Sequence, residues 1–108
     1  MMAGAIGLSP DKIWTSAGWL FDWTIRFIAR EVGDPQLTAT VEEILRENLG
    51  LLDLDRLPAG LRETVLRKLR DDLVPVAAAT LPNSVPERQE VLDYLGGLAQ
   101  LARELSES

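Results

Sequence analysis

The sequence predicts an all-α protein, a compact irregular bundle of four to five helices. Three observations carry that expectation. Apolar residues recur at i, i+3, i+4 and i+7 over most of the chain, cap-and-proline starts at Ser9-Pro10 and Asp34-Pro35 are followed by glycine stops at Gly33 and Gly50, and no stretch shows a convincing strand-like alternation. The expected helices cover about residues 10–32, 35–49, 59–74 with a kink or break at Pro75 and a short continuation to 81, and 85–105.

Ser9-Pro10-Asp11 reads as a helix start, with a capping hydroxyl, a proline suited to the first turn and an acid facing the positive end of the dipole. Residues 1–8 are then a flexible lead, and 9–105 a single helical domain with 106–108 frayed. The first helix runs to Val32, where Gly33 can close it. Asp34-Pro35 repeats the cap-plus-proline start, and Leu37, Val41, Ile44 and Leu45 form the apolar stripe of a second helix that stops at Gly50. The stretch LLDLDRLPAG, residues 51–60, mixes Leu with Asp, Pro and Gly and reads as a buried connection rather than a strand.

The third helix turns Leu61, Val65, Leu69 and Leu73 inward. Pro75 lacks a backbone donor and should kink or break it, and VAAATL can resume as a short helix. Ser84 to Glu87 has the S-x-x-E pattern of a capping box ahead of the last helix, whose inward stripe is Val91, Leu95, Leu98, Ala102 and Leu105. Gly96-Gly97 interrupts that helix and marks either a kink or a close approach of another backbone.

Composition narrows the function classes. A chain of 108 residues suits one domain that needs no disulfide or metal to fold, and 46% hydrophobic with 26% charged residues is the balance of a soluble globular protein. The chain has no cysteine and no histidine, which removes thiolate chemistry, cysteine-based metal sites, the commonest general base and the commonest transition-metal ligand. A net charge of −6 works against a non-specific grip on nucleic acid. The Arg62, Arg67, Lys68, Arg70 cluster is interleaved with Glu63, Asp71 and Asp72, the pattern of an intrahelical salt-bridge surface. No basic n-region opens the chain, and Asp22, Arg26 and Arg30 interrupt the longest apolar run, so the cytoplasm is the expected location and a membrane is disfavoured.

The first helix holds the most informative pattern. All three tryptophans lie within residues 14–23. At about 100° per residue, Trp14, Ala17, Phe21, Ile25, Ile28 and Val32 share one stripe, the expected core face. Lys12, Trp19, Trp23, Arg26 and Arg30 cluster on the opposite side, and the spacing 19, 23, 26, 30 is one continuous ridge. Either this helix is packed on two sides by the rest of the chain, with Arg and Lys stems lying over the indoles, or Trp19, Trp23, Arg26 and Arg30 form a patch for a partner, since Trp and Arg are enriched at interface hot spots. An interfacial membrane contact also favours Trp beside basic residues, but the acidity of the chain opposes anionic lipid.

The expected function is therefore a small non-catalytic protein–protein interaction module, an adaptor, regulator or immunity-type binding protein, whose partner is another protein or a second copy of itself. No cofactor and no small-molecule substrate are expected. The rival reading is a Mg²⁺-dependent all-helical hydrolase built on carboxylates at helical spacing, Glu43 with Glu47 and Glu90 with Asp93. Its weakness is that Glu90 and Asp93 lie opposite the leucine stripe, away from any cavity between helices.

Overall fold

The computed structural model describes residues 3–106 and is mixed α/β, not all-α: five helices accompany a three-stranded sheet. All three segments that form that sheet were expected to be otherwise, two of them at the start of the chain. Residues 3–8, expected as a lead, lie in strand β1 (Ala3–Ser9), and the first two turns of the expected first helix are strand β2 (Lys12–Ala17). Met1, Met2, Glu107 and Ser108, the outer parts of the expected lead and frayed end, lie outside the described residues.

The local chemistry explains the correction. Ser9-Pro10-Asp11-Lys12 is a hairpin turn rather than a helix cap: Ser9 pairs with Lys12 across it, and proline suits the second position of a tight turn as well as the first turn of a helix. Beyond the turn Trp14 and Ser16 point inward while Ile13, Thr15 and Ala17 are exposed, a period of two. Over so short a stretch, Trp14 satisfies both a helical stripe and a strand face. It belongs to the core, at 5% exposure, but from the sheet.

The strands are ordered β2-β1-β3, with β1 and β2 antiparallel and β1 and β3 (Leu51–Asp53) parallel. β3 and the single 3-10 turn Leu54–Arg56 that follows it replace the expected buried loop. The crossover from β2 back to β3 consists of helices α1 (Gly18–Val32) and α2 (Pro35–Glu47). The inward face of the sheet carries Gly4, Ile6 and Leu8 of β1, Trp14 and Ser16 of β2, and Leu52 of β3. Gly4 lies directly under Phe21 of α1; a Cβ built there would stand 2.1 Å from Phe21 Cγ, so only glycine lets helix and strand approach this closely.

α1 buries Leu20, Phe21, Thr24, Ile25, Phe27 and Ile28, and the Thr24 hydroxyl donates to Leu20 O at 2.7 Å, which satisfies it inside the core. Gly33 closes the helix in the left-handed conformation, its N–H bonded to Ala29 O. Asp34 then caps α2 by accepting from Leu37 N at 2.9 Å, as the Asp-Pro pair predicts. Asn48 and Gly50, both at positive φ, turn the chain from α2 into β3.

The chain divides into two compact units, one up to Arg62 and one from Glu63 onward, with helix α3 (Ala59–Asp71) crossing the boundary. In the first, Arg62 Nη2 donates to Leu8 O at 2.7 Å, beside the register shift between Gly7 and Ser9 where β1 leaves its regular ladder. In the second, the chain breaks at Asp72, three residues earlier than Pro75. Pro75 lies in the first turn of helix α4 (Leu73–Thr80), where its missing N–H has no intrahelical acceptor to lose.

Helix α5 (Arg88–Ser106) packs on α4 and buries Leu92, Leu95, Leu98 and Ala102. The capping box does not form: Glu87 adopts φ 53° outside the helix, and Arg88 donates to Leu81 O at 3.3 Å and to Ala78 O, satisfying carbonyls at the end of α4. Alanine Cβ atoms at Gly96 or Gly97 would meet nothing within 4 Å, so neither marks a close backbone approach. Among the described residues no helix is long and apolar enough to cross a membrane.

Candidate functional site

The ridge expected on the first helix lies on α1, with one change. Lys12 belongs to β2, so the ridge consists of Trp19, Trp23, Arg26 and Arg30. At 1.5 Å rise per residue these positions span about 17 Å. Trp19 is 48% exposed, a large apolar side chain left half in water. Trp23 is half-buried and stacks on the buried Phe27 ring with centroids 6.0 Å apart and planes 10° from parallel. That stack gives the ridge a fixed back: Phe27 is anchored in the core, and Trp23 extends the apolar surface outward from it.

Arg26 and Arg30 are exposed. Arg30 Nε lies 3.4 Å from Glu31 Oε2, and its place in the last turn sets a cation at the negative end of the helix dipole. An exposed pair of this kind contributes little to stability, so the guanidinium can exchange Glu31 for another acceptor at small cost. Asp22 is exposed between Trp19 and Arg26 on the same side of the helix.

A second surface of the same unit was not anticipated. A cleft of about 360 Å³ lies between α2 and β3, lined by Gln36, Thr40, Glu43 and Ile44 on the helix and by Leu49, Leu51, Leu52, Asp53, Arg56 and Leu57 after it. Leu49 and Leu51 are 56% and 51% exposed there. The signal in the sequence is the alternation of LLDL, with Leu52 and Leu54 inward and Leu51 and Asp53 outward, too short to distinguish a strand from a loop.

The carboxylates of the hydrolase reading are on exposed helix faces. Glu47 pairs with Arg46 at 3.6 Å, Gln89 donates to Asp93 at 3.0 Å, and among the described residues no group of three Asp or Glu side chains is arranged to hold a metal ion. The basic cluster on α3 is engaged locally: Lys68 pairs with Asp72 at 3.2 Å, Arg70 with Asp71 at 2.7 Å, and Arg67 donates to Thr64 at 3.4 Å. The Arg70 hydrogen bond holds the Asp71 carboxyl below its usual range, and the Ser9 hydroxyl does the same for Asp11 in the hairpin turn.

Compared with protein-family models, with curated proteins and with solved structures, the chain matches none. The geometry of its surfaces is therefore what bears on function.

Proposed function

We propose that this chain is a small non-catalytic protein-binding module, acting in the cytoplasm as an adaptor, regulator or neutralising partner, that docks another protein or a second copy of itself through Trp19, Trp23, Arg26 and Arg30. The observation that carries the reading is the exposure of Trp19, 48%, on a ridge whose other members are two exposed arginines and a tryptophan held by a core phenylalanine. Leaving an indole half in water forgoes part of the roughly 1.5–3 kcal/mol that burying a large apolar side chain contributes. A partner that covers it recovers that free energy, and the rigid aromatic surface loses little side-chain entropy on binding.

The test replaces residue 19 by the photo-crosslinking amino acid benzoylphenylalanine, in cells that make the protein, with the same replacement at Asp93 on α5 as a control. A discrete adduct formed from position 19 alone supports the reading, and its mass separates a second copy from a different protein. Identical patterns from both positions refute it. Light scattering on purified protein gives the complementary result: where the mass is that of an oligomer, Trp19→Glu should return it to the monomer with the circular dichroism spectrum of the folded chain retained.

A further inference from the structure

We infer that the cleft between α2 and β3 is a strand-addition site for an extended segment of a partner protein, one that alternates apolar and basic side chains. The inference goes beyond the α1 ridge and involves none of its residues.

β3 is an edge strand. The direction of its backbone follows from one hydrogen bond: Ala5 N donates to Gly50 O at 2.9 Å, so Gly50 and Leu52 turn their polar groups toward β1, and by the alternation of a strand Leu51 turns its N–H and C=O the other way. The cleft is lined by Leu51, Leu52 and Asp53 of β3 and by no residue of β1, so it lies along the outer edge of the strand, where that N–H and C=O point. A polypeptide entering alongside β3 would find a backbone donor and acceptor at hydrogen-bonding distance and a wall of α2 beside it, the elements of peptide capture by β-augmentation.

The side chains specify the occupant. Leu51 and Leu49 offer exposed apolar surface to residues of one parity of an added strand. Residues of the other parity face α2, where Glu43 is exposed and makes no ion pair among the described residues, while Arg56 on the far rim is engaged by Asp53 at 3.6 Å. The unmatched charge of the cleft is therefore negative, and the chain around it carries −6. A Lys or Arg stem can lie along the half-buried Thr40 and the exposed Gln36 on α2 and bring its cation to Glu43.

The experiment measures fluorescence anisotropy of a labelled, end-blocked hexapeptide alternating Leu and Lys, titrated with the full chain. Saturable binding is expected. The same peptide with Glu for Lys should bind at least tenfold more weakly, Glu43→Lys in the protein should cost about tenfold, and Glu90→Lys on α5, an equal change of net charge, should leave Kd within twofold. N-methylation of single peptide amides reads the backbone pairing: methyl groups of one parity should abolish binding and those of the other should be tolerated. Trp19→Glu should have no effect, which keeps this result separate from the fate of the α1 ridge. The inference is overturned by absence of binding at millimolar protein, by equal losses from Glu43→Lys and Glu90→Lys, by N-methyl effects without parity, or by self-association that Glu43→Lys dissolves, which would make a second copy the occupant.

Discussion

Replacing Gly4 by alanine places a methyl group where Phe21 already stands. The new Cβ would lie 2.1 Å from Phe21 Cγ, 2.4 Å from its Cβ and 2.6 Å from its Cδ1. Carbon atoms reach optimal separation at about 3.5–4.0 Å, so the overlap is roughly 1.5 Å. Rotating the ring does not relieve it, because the second-nearest atom is the root of the Phe21 side chain. Phe21 is 2% exposed and cannot swing into solvent. Helix α1 must lift from the sheet or β1 must leave its register. Overpacking of this kind costs about 1–3 kcal/mol and occasionally more, and the overlap here puts the cost at or beyond the upper end. Restricting the unfolded chain returns about 0.5–1 kcal/mol, leaving a net loss of about 2–3 kcal/mol. At roughly 4–8 °C per kcal/mol for a chain of this size, the melting temperature should fall by about 8–24 °C.

Urea titration followed by tryptophan fluorescence reports on the unit concerned, since every indole of the chain lies in β2 or α1. Gly97→Ala is the matched control: its Cβ meets nothing within 4 Å, and it should gain about 0.5–1 kcal/mol from helix propensity, read by calorimetry. A Gly4→Ala protein with a urea midpoint equal to or above that of the unmodified chain refutes the close packing of α1 on β1.

Three further outcomes follow from the same unit. Asp34→Ala removes the acceptor of the Leu37 N–H at the start of α2 and should cost about 1 kcal/mol in urea titration; no change would mean that water replaces the cap fully. Arg62→Met keeps much of the stem and deletes the donor to Leu8 O, a hydrogen bond from a charged group, so a loss of roughly 1.5–3 kcal/mol is expected, with amide exchange accelerating first around the β1–β2 turn. Ser9→Ala should raise the Asp11 carboxyl toward its ordinary range in an NMR pH titration, because the hydroxyl is the largest influence lowering it. A carboxyl lowered in the folded state contributes stability above its unfolded pKa, and that contribution disappears as pH falls through the folded value. The difference between the two proteins should therefore close in acid, and a difference that widens below pH 3 would contradict the assignment.

Helix ends with local chemistry were legible in the sequence. Asp34-Pro35 starts α2 where a cap and a first-turn proline predict, Gly33 ends α1, and the stripe of Leu95, Leu98 and Ala102 lies on the buried face of α5. Each depends on residues within one or two turns of each other. Where two local structures share a signature, local reading failed: Ser-Pro-Asp opens helices and also makes hairpin turns, and Trp14 fits an i, i+7 stripe with Phe21 as well as a period of two with Ser16. The ridge is legible as a spacing on α1, but Lys12 joins it only if the helix extends through the residues that form β2.

What the sequence alone determined is the set of segments with one stable local answer, α2 and most of α1 and α5, together with the absence of histidine and cysteine and the acidic balance of the chain. Tertiary structure decided the sheet and with it both candidate surfaces. β1 is a run of Ala and Gly around Ile6 and Leu8, with little preference of its own, and it becomes a strand because β2 pairs on one side and β3, more than forty residues along the chain, pairs on the other. That non-local pairing fixes where helix α1 begins, which leaves Trp19 in its first turn and half in water. It also makes β3 an edge, which is why a three-residue strand, too short for its LLDL alternation to announce, can present its backbone to the cleft beside α2.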